Sequence, residues 1–128
     1  MRAVFLLPFL LAAPVAAAQT DRGHVQAVDV RLSSFDFSPD SIRLRAGQPV
    51  VLRLVNSSGG GHNFSAPQFF ATSQVEGADR ANIRRGAVEV PGRETREIHL
   101  VPQRGRYRLR CTHAFHTTLG MSGEIIVE

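Results

Sequence analysis

Short runs of alternating apolar and polar residues, separated by turn residues, dominate this sequence after residue 24. They constrain the fold more strongly than any other feature. No stretch in this part shows the sustained period of about 3.6 residues that marks an amphipathic helix. Alternation with a period of two is typical of strands that bury one face. We therefore predict an all-β domain, a small antiparallel Greek-key β-sandwich or barrel.

The pattern predicts six to eight strands. The clearest runs are residues 25–32, 42–46, 50–55, 87–90, 96–101, 106–111 and 123–127. The run 50–55 is nearly all apolar, which predicts a central strand covered on both faces. Residues 66–85 alternate poorly, and we predict a long connection here, partly helical. In this connection Ser65 would cap one or two helical turns that contain Phe69, Phe70 and Val75.

Composition and charge exclude several classes of protein. The chain has 128 residues, of which 43% are hydrophobic, enough for one domain with a buried core. The formal net charge of +4 is scattered, without the concentrated basic patch that a nucleic-acid binder needs. A single cysteine rules out a disulfide framework, an iron–sulfur cluster and a thiolate-rich zinc site.

Residues 1–18 have the pattern of a signal peptide. Arg2 provides the positive start, an apolar run follows, and small residues precede a cleavage site before Gln19. The alternative is a retained membrane anchor, but the stretch is short for a bilayer span and contains two prolines. We therefore expect export to the periplasm and a mature domain over residues 19–128, without an integral membrane span.

The segment CTHAFHTTLGM, residues 111–121, carries the chemistry. It contains Cys111, His116 and Met121, and a further histidine, His62, follows a glycine-rich loop. One thiolate, two imidazoles and one weak thioether form the ligand set of a type 1 copper site. Cys111 would point into the core from the end of its strand. The following loop would return His116 and Met121 to the same metal, and His62 would come from a neighbouring loop.

Each of these residues also has a simpler interpretation. Cys111 fits a buried inert thiol or an intermolecular disulfide partner, and Met121 fits core packing. His62 fits an exposed histidine in a flexible loop. His113 lies close enough in sequence to Cys111 to compete with His116 as a ligand. The short chelate would be strained, so a position at the copper surface is the better interpretation.

Here the sequence resembles the cupredoxins over residues 25–128. The segment FSPDSIRLRAGQPV, residues 37–50, looks like the opening strands of plastocyanin-like proteins, and GHNF, residues 61–64, is similar to the first-histidine motif of azurin and plastocyanin. The approach from Gly105 through Tyr107 to the cysteine is also similar. The resemblance implies that Asn63 hydrogen-bonds across to the second ligand loop. It also implies that the histidine ligands bind through Nδ1.

The C-x4-H-x4-M spacing also resembles the type 1 site of multicopper oxidases. Those oxidases place a histidine on each side of the cysteine, where this chain has Arg110 and Thr112. A dinuclear copper site would need a second cysteine, and a histidine brace would need histidine where Gln19 stands. We therefore do not expect an enzyme.

The resemblance implies a periplasmic, monomeric electron-transfer protein that cycles one copper ion between Cu(II) and Cu(I) and serves redox partner proteins. The alternative is a copper chaperone or copper-resistance protein with the same fold.

Several apolar side chains would form either a dry collar around the site or part of the core. These are Phe64, Phe69, Phe70, Phe115 and Leu119. Six arginines would form either a basic rim for an acidic partner or a solvated strand face. These are Arg84, Arg85, Arg104, Arg106, Arg108 and Arg110.

Overall fold

A computed structural model describes residues 24–113 and 121–128. These residues form eleven strands, one short α-helix and one 3₁₀ helix. The strands are β1 (Gln26–Ser33), β2 (Asp36–Ser38), β3 (Ser41–Leu44), β4 (Val50–Asn56), β5 (His62–Ser65), β6 (Gln74–Val75), β7 (Ile83–Arg84), β8 (Ala87–Val90), β9 (Thr95–Val101), β10 (Gly105–Arg110) and β11 (Ser122–Val127). The helices are α1 (Pro67–Thr72) and the 3₁₀ helix Gly77–Asn82.

The strands form two sheets. One has the order β2-β1-β4-β9-β6 and the other β3-β11-β10-β5-β8-β7. The predicted all-β sandwich is confirmed. The expectation of a wholly antiparallel arrangement is wrong at two pairs, β1 with β4 and β3 with β11, which are parallel. The chain crosses to the other sheet between β2 and β3 and returns between β3 and β4. Parallel neighbours in one sheet are therefore joined by a crossover rather than by a hairpin.

Strand β4 lies in the middle of its sheet, as predicted, but it is not covered on both faces. Leu52 and Leu54 are buried, whereas Val51 and Val55 are half-buried and Arg53 is exposed. The Arg53 guanidinium lies 3.6 Å from Asp29 Oδ2 on β1 and 3.8 Å from Glu97 Oε1 on β9. The outer face of this sheet therefore carries a cross-strand charge ladder, and valine in the outward positions reflects strand propensity rather than burial.

Buried aromatic rings fill the space between the sheets near α1. Phe64 lies edge-on to Phe37 and to Phe70, with ring centroids 6.1 and 6.0 Å apart. Phe69 lies 5.4 Å from Phe70 and is fully buried. Of the two interpretations for these phenylalanines, core packing is therefore correct for 64, 69 and 70, and burial of each ring contributes about 2–3 kcal/mol. Phe115 and Leu119 lie outside the described residues.

The connection 66–85 is partly helical, as predicted, but its details differ. Ser65 ends β5, and Ala66 takes the cap position of α1 without a side-chain hydrogen bond. Pro67 opens the helix, because its fixed φ suits a first helical turn. Val75 lies in β6, where it pairs with Leu100, and not in the helix.

The predicted signal peptide, residues 1–18, lies outside the described residues. Within residues 24–113 and 121–128, no helix is long and apolar enough to span a membrane.

Candidate metal site

Strand β10 carries Cys111 to one end of the sandwich. Leu109 and Cys111 are buried and share the inner face of the strand, as the alternation predicts. The backbone N–H of Cys111 donates to the carbonyl oxygen of Met121 over 3.1 Å, which extends the Arg110–Ser122 pairing by one residue. Residues opposite each other in an antiparallel pair point to the same face, with Cβ atoms about 5 Å apart. The two sulfur-bearing side chains, both fully buried, therefore face the same interior region.

Strand β5 places His62 beside that region. His62 is the first residue of this strand and is only 3% exposed, so the expectation of a loop position is wrong. Ser65 pairs with Arg110, and extending this register puts Phe64 opposite Cys111. Phe64 is fully buried, and side chains two residues apart share a face, so the His62 imidazole lies on the inner face as a diagonal neighbour of the cysteine.

The cysteine sulfur accepts a hydrogen bond from the backbone. The N–H of Asn63 lies 3.5 Å from Cys111 Sγ. This contact holds the sulfur close to β5, the strand that carries His62.

The side chain of Asn63 joins the two ligand-bearing strands. Its Oδ1 accepts the backbone N–H of Thr112 over 2.9 Å, and its Nδ2 donates to Thr112 Oγ1 over 2.7 Å. Thr112, which follows Cys111, is thus held against Asn63, which follows His62. This is the cross-strand contact that the family resemblance implies for Asn63.

Two further residues complete this network: Glu89, which the sequence left unassigned, and His113, which the sequence placed at the copper surface. Glu89 accepts a hydrogen bond from Asn63 Nδ2 through Oε1 over 2.8 Å, and its Oε2 lies 2.8 Å from His113 Nε2. His113 is half-buried and packs against Gly61, where an added Cβ would lie 3.5 Å from its ring. Glu89 was not found from the sequence because the β5–β8 register, which pairs it with Asn63, cannot be read from either strand alone.

A third missed residue shapes the loop in front of His62. The Asn56 side chain, 2% exposed, donates to the carbonyl oxygens of Gly60 and Val90 over 2.8 and 2.9 Å. Its Oδ1 accepts both the N–H and the hydroxyl of Ser58 over 2.9 and 2.8 Å. The glycine-rich loop is therefore a packed turn, and the interpretation of His62 as an exposed loop histidine is wrong.

The structure thus gathers His62, Cys111 and Met121 at one end of the sandwich, with Asn63 tying two of their strands together. His116 lies outside the described residues. One imidazole and two sulfur side chains, all buried, form a soft donor set that suits copper better than calcium or magnesium. The residues present therefore fit a copper ion.

A second group of possible metal ligands lies on the other sheet. His99 Nδ1 is 2.8 Å from Asp79 Oδ2 and 3.7 Å from Glu76 Oε2. The same Asp79 oxygen accepts the backbone N–H of His99 over 2.7 Å. The hydrogen bond to Asp79 raises the pKa of His99 above its ordinary value, and the slight burial of the ring opposes this only in part. His99 is partly exposed on the outer face of β9, and its contact with Asp79 anchors the 3₁₀ helix to this strand.

Comparison with known families identifies the fold. A model of the cupredoxin-like domain matches residues 3–127. The chain belongs to the cupredoxin-like family. Comparison with curated protein sequences gives no match.

Solved cupredoxin structures share the overall architecture. Auracyanin B is 23% identical, with a TM-score of 0.58 over 80% of this chain and 88% of that protein. Auracyanin A, described as a "blue" copper protein from Chloroflexus aurantiacus, is 23% identical, with a TM-score of 0.56 over 82% and 100%. The dithionite-reduced auracyanin from Roseiflexus castenholzii is 15% identical, with a TM-score of 0.60 over 80% and 97%. At these identities the likeness extends to the fold.

Proposed function

We propose that this cupredoxin is an electron-transfer protein with one copper ion in a mononuclear type 1 site. The proposed ligands, which would hold the ion, are His62, Cys111, His116 and Met121. One observation supports this most strongly. The buried Cys111 sulfur shares a face with Met121 across β10 and β11 and receives the N–H of the residue that follows His62.

When bound, copper would supply a one-electron Cu(II)/Cu(I) couple. The chain's own part is to keep the ligand positions unchanged between the two states. The Asn63 bridge fixes the start of the ligand loop relative to β5, and the packed turn at Asn56 fixes the approach to His62. Burial of His62 and Cys111 keeps water away, so little solvent or protein needs to reorganise.

The proposal also includes the processing, the cellular location and the partners of the protein. Residues 1–18 are proposed as a cleaved signal peptide and residues 19–128 as a monomeric periplasmic domain. The protein would exchange electrons with protein donors and acceptors and would not act as an enzyme. The auracyanin described as a "blue" copper protein, with its similar fold, supports this choice within the family.

Voltammetry of the copper-loaded protein, combined with a challenge by a Cu(I) chelator, tests the function. We expect a reversible one-electron wave and retention of copper after repeated reduction and reoxidation. Met121→Leu, which keeps the side-chain volume, should raise the potential, because Cu(II) loses a donor. Loss of copper to the chelator within the first reduction would contradict an electron carrier and favour a copper chaperone. An unchanged potential in Met121→Leu would assign the methionine to core packing alone.

A further inference from the structure

The outer face of β10 carries three arginines in a row. Arg106, Arg108 and Arg110 are exposed and alternate with the inward-facing residues of the strand. At about 3.3 Å per residue, neighbouring members of this row are separated by about 7 Å along the strand. Like charges at this spacing repel each other unless an anion lies between them.

The three arginines differ in their partners. Arg106 lies 3.8 Å from Glu124 on β11. Within residues 24–113 and 121–128, neither Arg108 nor Arg110 forms an ion pair or a side-chain hydrogen bond, although Arg108 stands beside Glu124 in the register. In the described part of the chain, Arg108 and Arg110 are therefore two positive charges without an ion-pair partner.

These two arginines line a pocket of about 180 Å³. The other lining residues are Ser65, Pro67 and Gln68, so among the described residues no acidic side chain belongs to its wall. The pocket exists because β5 ends at Ser65 and the chain turns away into α1, which leaves a gap beside β10. The Pro67 side of the pocket is held in place by close packing against Gly86. A Cβ added at Gly86 would lie 2.4 Å from Pro67 Cα.

Ser65 gives the pocket a buried polar group. The residue is only 4% exposed and lines the cavity, yet its hydroxyl forms no hydrogen bond with the described part of the chain. Because Ser65 lines the cavity, its hydroxyl can donate a hydrogen bond to a ligand that enters the pocket. Arginine, serine and glutamine side chains all donate hydrogen bonds, and two of these donors carry charge.

We propose that Ser65, Gln68, Arg108 and Arg110 form an oxyanion-binding site for a carboxylate or a phosphate group. Guanidinium groups bind such oxyanions through paired, charge-assisted hydrogen bonds. The cavity has the volume of about six liquid water molecules, which accommodates one such group with a few waters. The site depends on the apoprotein fold alone and is independent of the proposed copper chemistry.

Titration of the protein with inorganic phosphate, followed by amide NMR, tests the site. We expect saturable binding with a Kd below about 10 mM, and shifts concentrated at residues 65, 68, 108 and 110. Arg110→Gln should weaken binding about tenfold, and Arg108→Gln should do the same. Arg106→Gln is the matched control, because it removes the same charge from the same strand face but outside the pocket. It should change the Kd by less than about twofold.

Competition with a short peptide of aspartates separates the two sources of the oxyanion. Displacement of phosphate by the peptide at a lower concentration would assign the site to an acidic side chain of a partner protein. Tighter binding of phosphate would assign it to a small free anion. Equal weakening in Arg106→Gln and Arg110→Gln would overturn the proposal, because attraction to net charge would then explain the binding. Unsaturable shifts for both probes would overturn it as well.

Discussion

Replacement of Asn63 by alanine removes the clamp between the two ligand-bearing strands. The side chain forms three hydrogen bonds, two with Thr112 and one with Glu89. The Thr112 pair contributes about 1 kcal/mol for each bond, a typical net value for an intramolecular hydrogen bond. The bond to Glu89 contributes less than its charge suggests, about 0.5–1 kcal/mol, because that carboxylate is largely exposed to water.

Asn63→Ala should therefore lower the free energy of unfolding by about 2–3 kcal/mol. For a domain of this size, each kcal/mol lowers the Tm by about 4–8 °C, so the expected fall is roughly 10–20 °C. The total stability of such domains is about 5–15 kcal/mol, so the variant should still fold. Urea denaturation of the apoprotein measures the effect without any contribution from metal.

Asn82→Ala is the matched control, because Asn82 is exposed and its side chain makes no hydrogen bond with the described residues. It should change stability by less than about 0.5 kcal/mol. Glu89→Ala should cost less than about 1 kcal/mol, and the Asn63–Glu89 double variant should show coupling. An Asn63→Ala variant as stable as Asn82→Ala would refute the reasoning, since the clamp would then contribute nothing.

Two further predictions concern the surroundings of the site, and a third concerns the contact between His99 and Asp79 on the other sheet. Asn56→Ala should cost about 2–4 kcal/mol in urea denaturation, because it leaves buried carbonyl groups of the loop and of β8 unpaired; a cost below about 0.5 kcal/mol would contradict this. Gly92→Ala should weaken copper binding in a competition assay, since its Cβ would lie 2.2 Å from the loop carbonyl at residue 59, whereas Gly77→Ala, with open space around it, should not; equal affinities would contradict the packed loop. The contact between His99 and Asp79 should stabilise the fold fully below pH 6.5 and lose this contribution as the pH rises through the raised folded-state pKa. His99→Gln should remove that part of the pH dependence, which stays below about 1 kcal/mol because the ring is partly exposed; an unchanged pH profile would contradict it.

The strand pattern predicted most of the fold because alternation reports one buried face. It did not predict β5, because all four residues from His62 to Ser65 are buried and three of them are polar. Such a segment has no alternation to detect, and its sequence follows a glycine-rich loop. His62 and Asn63 are buried because strands distant in sequence pack around them at the metal-site end of the sandwich. The local sequence does not reveal this packing.

The proposed ligands follow from chemistry and spacing, since few other residues of the chain offer sulfur or imidazole. The residues that support them are less visible. Glu89 occupies an exposed strand position that any polar residue would fit, and only the β5–β8 register brings it to Asn63. Asparagine is a common residue type in turns, so Asn56 does not stand out in the sequence. Its role appears only when β8 supplies a buried carbonyl group for it to bind.

Addition of Cu(II) to the apoprotein, followed by visible absorption, tests the central claim most directly. One equivalent should produce an intense thiolate-to-copper charge-transfer band that ascorbate bleaches. Cys111→Ser, which preserves size and removes the sulfur, should bind copper without the band. His99→Gln, outside the proposed site, should retain the full band. An equally intense band in Cys111→Ser, or no band in the wild-type protein with one equivalent bound, would contradict a type 1 site at Cys111.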